Sequence, residues 1–62
     1  MPEEYYERYY NEETRLTSFV IEYDWPRCQV VIFNSEGQRL RVPIVTRTFE
    51  QACQIAQDRI LP

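Results

Sequence analysis

Residues 38–60 read QRLRVPIVTRTFEQACQIAQDRI, and this stretch decides the fold class. Its first part alternates with a period of two, the pattern of a strand, and its second part repeats at helical spacing. Leu40, Val42 and Ile44 fall on one side of the strand, and Arg39, Arg41, Pro43 and Val45 on the other. Pro43 has no N–H to give to a ladder, so the strand belongs at a sheet edge. Phe49, Ala52, Cys53, Ala56 and Ile60 then share one narrow face of a helix, with Glu50, Gln51, Gln54, Gln57 and Asp58 opposite and Ile55 at the border. Thr48 suits the N-cap: its hydroxyl can accept from the Gln51 N–H while Gln51 reaches back, the T-x-x-Q form of the capping box. Glu50 in the first turn and Arg59 in the last complement the helix dipole. Leu61-Pro62 close the sequence, so the helix is expected to be the last element.

Reading outward toward the N-terminus, Asn34-Ser35-Glu36-Gly37 forms a hairpin loop in which Gly37 takes positive φ. Cys28–Phe33, CQVVIF, is apolar on nearly both faces, as a central strand covered on two sides would be. Asp24-Trp25-Pro26-Arg27 breaks the pattern, with Pro26 suited to the second position of a turn that starts at Trp25. Leu16–Tyr23 alternates Thr17, Phe19, Ile21 and Tyr23 against Ser18, Val20 and Glu22, a further strand rich in β-branched and aromatic residues.

Residues 1–14, MPEEYYERYYNEET, carry five glutamates and four tyrosines. Tyr5/Tyr9 and Tyr6/Tyr10 are i, i+4 pairs, and Pro2, Glu3 and Glu4 suit a helix N-terminus. The segment is therefore a short helix docked on the sheet or an acidic tail. The expected fold is α+β: a three-stranded antiparallel β-meander followed by one C-terminal α-helix packed on one face (β-β-β-α). It forms a single domain over residues 15–62, preceded by the acidic tyrosine-rich segment 1–14, which contributes at most a short N-terminal helix.

Sixty-two residues allow one domain. So short a chain buries only about 60% of its unfolded surface and is marginal alone. Cys28 and Cys53 allow at most one disulfide. Met1 leads directly into PEEYYE without a signal-peptide pattern. Both cysteines are therefore read as buried, reduced thiols of a cytoplasmic protein. No apolar run is long enough to span a membrane. With no histidine and no C-x-x-C there is no zinc pattern, so no metal and no cofactor are expected.

The absence of histidine and lysine also removes the usual general bases and Schiff-base amines. Ser18 and Ser35 lack a G-x-S-x-G context, and one glycine cannot build a phosphate loop. No catalytic residue is assigned, and the chain is read as not an enzyme. The net charge of −3 argues against general phosphate-backbone binding, which needs clustered positive charge. All seven basic residues are arginines, the residue of bidentate contacts. Arg39 and Arg41 share a face of the edge strand, with Arg27 and Arg47 expected nearby.

The helix covers one face of the sheet, yet CQVVIF is apolar on both. The tyrosine segment, a second copy or a partner must cover the other face. The candidate partner-binding residues are Tyr5, Tyr6, Tyr9, Tyr10, Arg39, Arg41 and Arg47.

Val42-Pro43-Ile44, followed by Thr48, Ala52 and Ala56 at four-residue steps and ending at Pro62, resembles the middle of the small acidic RNA polymerase inhibitors carried by T7-type podophages. There too a V-P-I edge strand leads into a capped helix with alanines four apart. That family continues past the helix into a further arginine-bearing strand; here the additional strand and the tyrosine-rich segment lie in front instead. No binding residue is carried over. The resemblance implies a small non-catalytic regulator that binds a protein, as an inhibitor of a host nucleic-acid enzyme such as RNA polymerase would. The alternatives are a nucleic-acid-binding sheet domain using Arg27, Arg39, Arg41 and Arg47, and a homodimeric structural protein whose spare face meets its twin.

Overall fold

The computed structural model describes residues 3–62. They form β1 (Glu7–Asn11), β2 (Leu16–Asp24), β3 (Arg27–Phe33), β4 (Arg39–Thr46) and α1 (Phe49–Asp58). The four strands make one antiparallel sheet in the order β1-β2-β3-β4. The α+β class, the meander and the C-terminal helix over one face agree with the sequence reading. The strand count does not, because the sheet has four strands rather than three.

The added strand lies where a short helix or a tail was expected. All five residues of β1 pair with β2, from Glu7 opposite Val20 to Asn11 opposite Leu16. Two physical terms decide for strand. Tyrosine is a strong strand former, whereas so short a helix would be marginal in water. Pairing also satisfies the backbone groups along β2, which would otherwise lie open at a sheet edge. The tight connection to β2 is held by Asn11, whose Oδ1 accepts from the backbone N–H of Glu13 at 2.8 Å and of Thr14 at 3.3 Å.

The helix meets Val20, Cys28, Val30 and Ile32 through Ala52, Ala56 and Ile60, with Tyr9, Leu16, Leu40, Ile44, Phe49, Cys53 and Ile55 around them. Ala52 and Ala56 are fully buried, and their small side chains let the helix approach the sheet closely. Thr48 caps α1, its Oγ1 accepting from the Gln51 N–H at 3.1 Å. The Gln51 side chain reaches one residue further back than a capping box requires and accepts from the Arg47 N–H at 3.1 Å. At the other end no glycine terminates the helix. Carbonyls at and just past its end are met by side chains instead: Ser18 Oγ on β2 donates to the Ala56 carbonyl, and Thr14 Oγ1 in the β1–β2 turn to the Ile60 carbonyl, each at 2.7 Å.

Two local features differ from the sequence pattern. The Trp25–Pro26 peptide is cis, and Asp24 pairs with Arg27, so Pro26 occupies the third turn position rather than the second. In β4, Val30 pairs with Ile44 and Ile32 with Leu40, leaving Arg41, Val42 and Pro43 opposite the single residue Val31. The strand bulges there, with Arg41 at φ 62°. Leu40 and Ile44 keep their places in the core, but Val42 is carried out to 82% exposure instead of packing beside them. Gly37 in the β3–β4 loop takes φ 81°, as its turn position requires.

Candidate functional site

Strand register divides the side chains between two faces. On the face away from α1, Tyr10, Thr17, Phe33 and Arg39 form one row across the four strands. Arg8, Phe19 and Val31 form the next row, which meets the β4 bulge. Ile21, Gln29 and Val45 form the third. Phe19, Val31 and Phe33 make a second apolar cluster, separate from the one under the helix, with Ile21 packed against it.

No secondary-structure element of the described residues lies over this second face, yet its centre is closed. Phe19 is 2% exposed, held edge-on by Tyr5 at 5.0 Å and by Phe33 at 5.8 Å between ring centroids. Tyr5 and Tyr10 remain about half exposed, as does Val45. A buried aromatic centre with amphipathic tyrosines around it has the make-up of an interaction surface, apolar in the middle and polar at the rim. Arg8 lies on the β1 side of this rim and Arg39 on the β4 side, both exposed.

The four candidate tyrosines do not act as one group. Tyr5 caps Phe19 and Tyr10 sits on the same face. Tyr6 and Tyr9 lie on the helix side. Tyr6 joins Trp25 and Phe49 in an aromatic corner, with centroids 5.5 and 6.0 Å away, and its hydroxyl donates to Glu22 at 3.1 Å. Partial burial in that corner first, and the Glu22 carboxylate second, raise its pKa. Tyr9 packs on the core, where the neighbouring Cys53 thiol first, and burial second, push its pKa up to about 12.

The arginines also separate. Arg39 and Arg41 both belong to β4 and are exposed, with the bulge starting at Arg41. Arg47 lies beyond the opposite end of the same strand; the bulge shortens β4, so Arg39 to Thr46 covers only the step from Phe33 to Cys28, and Arg47 still lies roughly 20 Å from Arg39 and does not join it. Arg27 pairs with Asp24 and lies over the Tyr23 ring, 5.2 Å from its centroid. Two residues escaped the sequence reading. Arg8 was hidden among glutamates, although its two-residue spacing from Tyr10 already put both on one face of a strand. Trp25, 60% exposed, was visible only as the residue before a turn proline.

Two shallow clefts flank the face. One of about 220 Å³ lies between β1 and the end of α1, lined by Tyr9, Tyr10, Asn11, Gln57, Ile60 and Leu61. The other, about 200 Å³, is lined by Glu4, Tyr5, Tyr6 and Glu22. Neither brings together an acid, a base and a nucleophile. Cys28 and Cys53 are both free, and burial raises the Cys28 pKa, which keeps that thiol protonated and unreactive. No helix among the described residues is long and apolar enough to cross a membrane.

The architecture is a four-stranded antiparallel meander with one helix over one face, the other face having a closed aromatic centre and exposed arginines at its rim. The chain matches no protein-family model, and comparison with curated proteins and with solved structures gives no match.

Proposed function

We propose that this chain is a small non-catalytic protein-binding regulator that docks through the sheet face away from α1. The observation that carries the reading is the second apolar cluster, Phe19, Val31 and Phe33, which no other element of the described residues covers and which half-exposed Tyr5, Tyr10 and Val45 surround. Tyrosine supplies large contact area at low entropic cost, and such residues recur at binding surfaces. The non-catalytic part of the reading rests on composition, since a chain without histidine or lysine lacks the commonest general base and the Schiff-base amine. A cytoplasmic setting, where both thiols stay reduced, and inhibition of a larger nucleic-acid enzyme are the narrower form of the same proposal.

The test places a photo-cross-linking residue at Tyr10 or Val45, and at Gln54 on the outer helix face as a control, in cells that make the protein. Adducts with one protein from the sheet-face positions and none from Gln54 support the reading. Equal labelling from all three positions, or none, refutes it.

A further inference from the structure

We infer that the occupant of the open sheet face is an acidic protein segment, one that sets two carboxylates on either side of an apolar residue. The inference rests on the protein-binding reading above and adds the partner's chemistry. Its ground is a segregation of charge. The strand positions facing away from α1 include Arg8, Arg39 and Arg27, and a single acid, Asp24, which Arg27 already neutralises, although the chain as a whole carries −3. Glu7 and Glu22 pair with Val20 and Cys28, which pack under the helix, so both acids fall on the helix side. Neither Arg8 nor Arg39 belongs to an ion pair among the described residues, where the ion pair present joins Arg27 and Asp24. The face therefore offers two uncompensated guanidiniums across an apolar centre.

The spacing of those cations gives the ligand its form. Arg8 on β1 and Arg39 on β4 are three strand spacings apart, roughly 15 Å. In an extended segment, side chains four residues apart share a face and lie about 13 Å from each other. Two carboxylates at that separation reach both arginines, and the residue midway between them falls over the half-exposed Tyr5 ring that closes the Phe19, Val31 and Phe33 centre.

The other occupants fit less well. A second copy docked face to face would set Arg8 and Arg39 against other arginines or apolar residues, since the one acid on the face, Asp24, is already paired with Arg27; like charges opposed across an interface disfavour it. A single-stranded nucleic acid needs more phosphate contacts than Arg8 and Arg39 supply.

The experiment is an amide NMR titration of the intact protein with the peptide SGESLSEGS and its charge-reversed counterpart SGKSLSKGS. The acidic peptide is expected to shift the amides of Arg8, Phe19, Phe33 and Arg39, and to bind about tenfold more tightly than the basic one. In the double variant Arg8→Glu/Arg39→Glu the preference should reverse, with the fold checked by amide dispersion because both positions are exposed. Equal affinity for the two peptides, or no shift on this face at millimolar peptide, overturns the inference. So does tighter binding of oligo-dT at the same residues, or a sedimentation mass of twice the monomer that Arg8→Glu restores to monomer. Cross-linking at Tyr10 and Val45 reports docking whatever the partner's charge, so either claim can fail while the other stands.

Discussion

Ser18→Ala tests how the helix is held to the sheet. Ser18 is fully buried on β2, and its hydroxyl donates to the Ala56 carbonyl at 2.7 Å. That carbonyl belongs to the last turn of α1, where no intrahelical N–H remains to satisfy it. Alanine removes the donor but leaves the acceptor buried, so the loss is the desolvation cost of an unpaired carbonyl, about 1–3 kcal/mol, rather than the smaller net worth of a hydrogen bond. In a domain this small each kcal/mol lowers Tm by roughly 4–8 °C. Thr14→Val supplies the comparison. It removes a bond of the same length to the Ile60 carbonyl, but at a half-buried position that water can reach. Its cost should stay near the net value of about 1 kcal/mol. Thermal unfolding followed by circular dichroism measures both, and amide exchange at residues 57–59 locates the loss. A Ser18→Ala protein that melts no lower than Thr14→Val would refute the reasoning, because burial of the acceptor would then carry no cost.

Thr48→Ala removes the N-cap of α1 and should cost about 1 kcal/mol, read as a lower Tm; an unchanged melt would mean the first turn is held by packing alone. Deleting residues 1–13 removes β1 and Tyr5 and exposes the β2 edge and Phe19, so the truncated chain should unfold or self-associate, which sedimentation and circular dichroism detect. Thiol titration without reductant should find two thiols in denaturant, with Cys53 reacting first in the native protein and buried Cys28 only on unfolding. Tyr9 ionises near pH 12 in the folded chain, against about 10 when unfolded, so its contribution is intact below about pH 10 and is lost as pH rises toward 12. The last step of the phenolate absorbance titration should disappear in Tyr9→Phe.

The helix was legible because every level of the sequence agreed on it: the apolar stripe, the Thr48 cap and the acidic first turn all point to one element, and each is found in place. The N-terminal strand was not, because tyrosines four residues apart satisfy both a helical face and an even strand spacing. Only the presence of β2 as a template decides between them, and that is a tertiary term. The bulge in β4 was hidden for a related reason. Leu40, Val42 and Ile44 alternate as an unbroken strand would, and nothing in the letters reveals that Arg41 takes a left-handed conformation and ejects Val42. The candidate site was half visible. Arg39 and Arg41 both lie on β4, although the bulge begins at Arg41, whereas Arg47 was assigned to the same patch without regard to the length of the strand between it and Arg39.

The route by which a partner approaches follows from the state of the two sheet edges. Strand addition requires a run of unpaired backbone N–H and carbonyl groups on an exposed edge. Along β4 that run is interrupted: Pro43 has no N–H, and the bulge at residues 41–43 turns the local backbone out of line with any added strand. Such features commonly guard an edge against unwanted pairing. On the other side β1 is only five residues long, and the cleft along it is lined by Gln57, Ile60 and Leu61 at the end of α1. An added strand there would have to displace those side chains from Tyr9 and Tyr10. With β4 interrupted and β1 short and flanked, backbone pairing is the poorer source of affinity for this sheet. Side-chain contact with the face spanning Tyr10, Phe33 and Arg39 is the better one, and that is why the arginines at its rim matter more than the strand edges beside them.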